Sequence, residues 1–190
     1  MPSTTARSVD HNGRVTTVEH DTDADEPRLV AKRGTTPSGV VDAIHISAAA
    51  GAPMRAVPRI RAIEGVGLEG DRYALRVGTY SPNTKVDRDI TLIESEEIQS
   101  LFERTGIELA AGESRRNLTT SGVRLNDLVG RRFRIGPVVV DGTRLCEPCQ
   151  YLTDLLGKAV LPELVHRAGL RVRIVSGGEI AVGDEVVVLD

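Results

Sequence analysis

Cys146 and Cys149 are the only thiols in the chain, three residues apart in Cys146-Glu147-Pro148-Cys149. That spacing serves several chemistries. Two thiols can open and close a disulfide, with one thiolate stabilised where a helix begins. They can supply half of a tetrahedral zinc site, which then needs two more ligands. One thiolate can hold a soft metal in a mononuclear site. The pair can also be two small buried side chains without chemistry. Zinc is short of partners: only His166 lies downstream, and His11, His20 and His45 are far upstream. A thioredoxin-like pair needs βαβ alternation, which the flanks lack. On spacing alone all four readings stay open.

Upstream stands Arg115-Arg116-Asn117-Leu118-Thr119. A guanidinium fork grips phosphate or ring oxygens in pairs. An Asn offers a heterocycle edge a donor and an acceptor at once. Taken alone, Arg115 and Arg116 read better as a solvated surface pair. Further upstream is Gly70-Asp71-Arg72. Its glycine permits close backbone approach, and Arg72 is a second basic candidate. Taken alone, that segment is an ordinary turn braced by the Asp71 side chain. His45, in an alternating stretch, and His166, ahead of Gly169 where a cation suits a helix C-terminus, are minor candidates for proton transfer.

These residues need elements to hold them. From Gly39 to Ser47 the residues alternate in the manner of a strand. Ile60–Ile63, Asp89–Ile93, Arg132–Ile135, Val138–Val140, Leu170–Val175, Ile180–Val182 and Val186–Leu189 are further short strands, divided by glycine turns. One helix is well signalled over Ser95–Thr105. Ser95 is its expected N-cap, Ile98, Leu101 and Phe102 its buried stripe, and Gly106 its C′ residue. Tyr151–Leu156 and Leu161–His166 are short helical candidates. Many short strands with few helices favour a closed barrel, which removes sheet edges. Residues 1–38 are polar, with an acidic run at Asp21–Glu26, and read as a disordered or loosely attached tail. Residues 39–190 form the folded domain.

Composition narrows the function. The 190 residues are 40% hydrophobic and 27% charged, with a net charge of −3. That balance offers no nucleic-acid face, and two Phe, three Tyr and no Trp give no stacking platform. No apolar run is long enough for a membrane span. The first residues lead into no apolar signal segment, so the expected location is the cytoplasm.

The Gly70-Asp71-Arg72, Arg115-x-Asn117 and Cys146-x-x-Cys149 segments together resemble the MOSC domain, named for the C-terminal domain of molybdenum cofactor sulfurase. The resemblance is closest to the small stand-alone bacterial members and runs from Val40 to the end of the chain. It implies a mainly β, MOSC-type β-barrel with a few short helices. It implies the molybdenum cofactor, molybdopterin, with Cys149 as thiolate ligand to the metal and catalytic residue. Arg72, Arg115, Arg116, Asn117, Thr119 and Cys146 would bind the cofactor. The activity implied is an oxidoreductase that reduces small N-hydroxylated substrates. With no iron–sulfur cysteine set and no flavin motif in the sequence, electrons would come from an external reductase. The alternatives are a sulfur carrier, passing persulfide sulfur from a donor protein through Cys149, and a non-catalytic cofactor-binding module. Lys32, Lys85 and Lys158, the only lysines, make no recognisable pyridoxal site.

Overall fold

The alternation that opens at Gly39 folds as strand β3 (Ser38–Ile46), the first strand of a closed barrel. In this computed structural model the described residues are 7–9, 15–17, 38–81 and 88–189. Two strands precede β3, β1 (Arg7–Val9) and β2 (Val15–Thr17), and they pair antiparallel. They belong to a separate unit, residues 1–34. The rest of the expected tail, apart from Ser38, lies outside the described residues.

After β3 come β4 (Arg55–Val57), β5 (Arg59–Ile63), β6 (Gly67–Leu68) and β7 (Ile90–Glu94). Helix α1 (Ser95–Thr105) leads to β8 (Leu118–Ser121), a 3-10 turn at Leu125–Leu128, β9 (Arg132–Ile135) and β10 (Val138–Leu145). Helices α2 (Gln150–Leu156) and α3 (Val160–Glu163) precede β11 (Leu170–Ser176), β12 (Gly178–Ala181) and β13 (Glu185–Val188). The barrel order is β13-β9-β10-β11-β7-β8-β3, closed by pairing of β3 with β13. β4 extends the sheet from β3, and β12, β5 and β6 form a second small sheet.

The barrel is antiparallel except where β7 and β8 run parallel, joined across α1. Parallel neighbours need such a crossover, and α1 supplies it. Apolar residues at alternate positions fill the barrel. Leu170, Val172 and Ile174 point inward from β11, Ile90 and Leu92 from β7, and Phe133 is fully buried. Each fully buried side chain of this size contributes about 1.5–3 kcal/mol. A register shift between Val41 and Ala43 re-phases β3, so Val41, Ile44 and Ile46 all reach this core.

The helices sit against a second apolar cluster of Leu101, Leu109, Leu152, Val160, Leu164 and Ala168. Helix α1 spans the predicted residues, and Gly106 ends it at φ 72°. Two details differ from expectation. Glu94 is the N-cap, without a side-chain bond, and Ser95 is already helical. Leu101 is buried but Phe102 is half exposed, because the second cluster covers only the Ile98–Leu101 side. Helix α3 stops at Glu163, so His166 lies beyond it. Among the described residues no helix is long and apolar enough to cross a membrane.

Candidate functional site

Strand β11 buries every second residue, so Arg171 faces out of the barrel. It stands opposite Arg144 on β10 and Thr91 on β7. This row across three adjacent strands floors a cavity of about 340 Å3. Such a volume suits a small molecule. The segment from Arg144 to Leu152 forms one wall, and residues between Arg72 and Tyr80 form another. Arg115 and Arg116 complete it from the loop that enters β8.

The cysteines sit differently. Cys146 is buried, and its N–H donates to the Gly169 carbonyl at 2.7 Å. Gly169 has φ 96°, and a Cβ there would collide with the Leu92 carbonyl, so only glycine lets the chain pass β7 at this point. Cys149 is half-buried and caps the start of α2, its carbonyl accepting from the Leu152 N–H at 3.0 Å. The Tyr80 side chain is within hydrogen-bonding reach of Cys149. That interaction, with burial, pushes the Tyr80 pKa up to about 12.

The arginines are held by main chain. Arg116 Nε donates to the Ala168 carbonyl and Nη2 to the Cys146 carbonyl, both at 2.8 Å, which ties the cysteine loop to β8. Arg72 is buried. Its Nη1 meets Asp71 Oδ1 at 3.2 Å, its Nη2 donates to the Arg115 carbonyl at 3.1 Å, and it lies 4.9 Å from the Tyr73 ring centre. Arg115 donates to the Ala52 carbonyl at 2.9 Å and is held at φ 59°, a left-handed conformation that costs a non-glycine residue about 1 kcal/mol or more. Burial, and then the nearby Arg72 charge, lower its pKa.

Asn117 and Thr119 are not among the lining residues. Asn117 is buried with all its side-chain capacity used. Its Oδ1 accepts from the Thr91 N–H and hydroxyl, and its Nδ2 donates to the His45 carbonyl and Asp71 Oδ1. Asp71 also accepts from the Ser47 and Tyr73 N–H groups, so Asn117 braces the carboxylate that orients Arg72. Thr119 is a barrel position, registered with Ala43 and Ile93. The structure therefore brings Arg72, Arg115, Arg116, Cys146 and Cys149 to one cavity and turns Asn117 inward as a brace.

His45 and His166 lie off the cavity lining. His45 is buried, its Nδ1 lacks a hydrogen-bond partner among the described residues, and burial pushes its pKa down. His166 Nδ1 is 2.7 Å from Glu147 Oε1, a pairing at φ 59° in place of the expected helix end. Tyr80, Arg144 and Arg171 are cavity residues that the sequence reading missed. The alternation of Leu170–Val175 marked Arg171 as outward-facing, but nothing in it announced Arg144 as its neighbour.

The family model of the MOSC domain matches residues 68–187, which contain every described residue of the cavity lining. The chain belongs to the MOSC-domain family. That family is associated with the molybdenum cofactor. Solved structures share its fold. YuaD of Bacillus subtilis matches with a TM-score of 0.66 and 16% identity over 78% of this chain and 94% of that one. YiiM of Geobacillus stearothermophilus gives 0.59 and 18% over 80% and 75%. YiiM of Escherichia coli gives 0.56 and 16% over 82% and 69%. No curated protein matches the chain.

The cavity's donor set fits an anionic, sulfur-rich metal complex. Among the described residues, the half-buried Cys149 thiol shares the lining with Cys146, six arginines and one glutamate. Arg171 Nε is buried without a hydrogen-bond partner among the described residues, as a donor awaiting an acceptor would be. Among the described residues no three His, Cys, Asp or Glu side chains gather to hold a metal. Among the described residues the cavity's sulfur donors are the thiols of Cys146 and Cys149, and soft sulfur suits a soft metal.

Proposed function

We propose that this MOSC-domain protein binds the molybdenum cofactor and reduces N-hydroxylated compounds, with Cys149 as metal ligand and an external reductase as electron source. The observation that carries the reading is the joint presence of Cys149 and a strongly cationic lining in one cavity of small-molecule size. The overall conversion takes R–NHOH, two electrons and two protons to R–NH2 and water.

When bound, the cofactor supplies the two-electron exchange with the substrate. The chain's residues do the rest. Cys149 offers the thiolate. Arg72, Arg115 and Arg116, fixed to main-chain carbonyls and Asp71, would hold the cofactor's negative charge without reorganising. Through the Cys146 carbonyl, Arg116 also keeps the loop carrying Cys149 in place. The Tyr80 side chain stands beside Cys149, placed to donate to its sulfur. Its proton, with a pKa about 12, stays on the phenol at neutral pH.

A second reading is favoured by both cysteines lining one cavity. A donor protein would leave persulfide sulfur on Cys149, and Cys146 would release it by forming a disulfide.

Metal and pterin analysis of protein made in a cofactor-producing host separates the two. Stoichiometric molybdenum, lost in Cys149→Ser and largely kept in Cys146→Ser, supports the first. Cyanide-releasable sulfur on metal-free protein supports the second. Full molybdenum content in Cys149→Ser sinks the ligand assignment.

A further inference from the structure

The loop that carries Cys149 meets the segment before β11 at three points. The Gly169 carbonyl accepts from the Cys146 N–H. The Ala168 carbonyl accepts from Arg116, which also donates to the Cys146 carbonyl. The third point is a side-chain bridge. Glu147 turns both carboxylate oxygens to one residue, His166. Its Oε2 accepts from the His166 main-chain N–H at 2.9 Å, and its Oε1 lies 2.7 Å from the ring Nδ1. Two bonds to one carboxylate fix direction as well as distance.

His166 is itself held. Its φ of 59° is a left-handed conformation that few residues other than glycine take, and it turns the N–H and the ring to the same carboxylate. Its carbonyl accepts from Asn126 Nδ2 at 2.9 Å, an anchor on the 3-10 turn. Leu164 and Ala168, on either side of it in sequence, belong to the second apolar cluster, against which Cys149 packs. The His166 and Glu147 side chains are 73% and 42% exposed, so their pairing adds little to overall stability. What the bridge sets is the placement of the residue two beyond Glu147. We propose that His166 is a positioning residue for Cys149: through Glu147 it fixes where the thiol stands in the cavity, and so how firmly the site keeps its metal. The metal in this statement rests on the proposed function. The hold on the thiol does not.

The test alkylates the metal-free full chain with iodoacetamide and follows each thiol by mass spectrometry, the buried Cys146 serving as internal control. His166→Ala should speed modification of Cys149 about 2- to 5-fold, the factor to which the coupling of an exposed pair converts. Cys146 and the melting temperature should change little. His166→Asn should restore the parent rate, because its amide nitrogen stands where Nδ1 does and Asn tolerates the left-handed backbone. His166→Gln, whose amide matches the other ring nitrogen, should not. Glu147→Ala should equal His166→Ala, and the double variant should exceed neither. In cofactor-loaded protein, molybdenum should leave His166→Ala faster than the parent by a similar factor and leave His166→Asn at the parent rate. The proposal is overturned if Cys149 reacts no faster in His166→Ala, if Cys146 speeds up equally, or if the Asn and Gln variants behave alike. It is also overturned if molybdenum leaves His166→Ala no faster than the parent. A chain that takes up no molybdenum at all refutes the proposed function, while alkylation of the metal-free chain still decides whether His166 positions the thiol.

Discussion

Replacing Asn117 by Ala separates a brace from a ligand-binding group. The substitution removes four hydrogen bonds of 3.0–3.3 Å in a residue only 2% exposed. Thr91 keeps one side-chain bond, from the Asn117 main-chain N–H to its hydroxyl, so its own N–H is the group left orphaned. Net losses of about 0.5–1.5 kcal/mol per bond, with about 1–3 kcal/mol for one unsatisfied donor, overlap and give about 3 kcal/mol in all. For a domain of this size that is a melting-point drop of about 6–12 °C. Urea unfolding, with slope and midpoint fitted together, measures it on metal-free protein. Asn117→Asp should be worse at neutral pH, since it sets a carboxylate where Nδ2 now lies 3.1 Å from Asp71 Oδ1, and should recover as acid protonates the pair. A loss under about 1 kcal/mol with impaired cofactor uptake would refute the reasoning and return Asn117 to a direct binding role.

Three further outcomes are expected. Gly169→Ala should cost about 3 kcal/mol or prevent folding, because its φ of 96° and the Leu92 carbonyl leave no place for a Cβ; yield and melting temperature report it. Arg115→Gly should be more stable than Arg115→Ala by about 1 kcal/mol, because both lose the side chain but only glycine relieves φ 59°; paired denaturation curves measure the difference. Asp141, hydrogen-bonded by Arg132 and then Arg173, has its pKa lowered to about 2. Its pairing therefore stabilises the fold above the ordinary carboxylate range and is lost as pH falls through about 2. Both arginines are about half exposed, so solvent screening leaves Asp141→Asn an expected cost of about 1 kcal/mol at pH 7, vanishing near pH 2 in pH-resolved denaturation.

Local signals carried much of this architecture. Acidic residues after Ser95 and a glycine at 106 marked α1, because helix ends are written in nearby residues. Short alternating runs marked most strands. β8 was hidden, since Leu118–Ser121 offers one large apolar residue among hydroxyls. The cysteine and arginine segments pointed to the cavity because their chemistry shows in residue type. Whether a side chain turns inward does not. Asn117 became a brace because strand β7 already supplied Thr91, and the turn after β6 Asp71, as partners. Arg144 and Arg171 met through a bulge, and register is set by pairing across the sheet rather than by neighbours in sequence.

Barrel closure carries a consequence for biosynthesis. β3 is the first strand of the wall and β13 the last, and Ser38 registers with Val187. On the ribosome, the cavity's residues, Arg72 through Arg171, all emerge before the strand that seals the cylinder. Until then β3 and β9 both present raw sheet edges, open to pairing with a neighbouring nascent chain. The nascent domain thus passes through a stage in which its chemistry is written but its frame is open. Deleting β13 would hold it there, as an aggregation-prone open sheet.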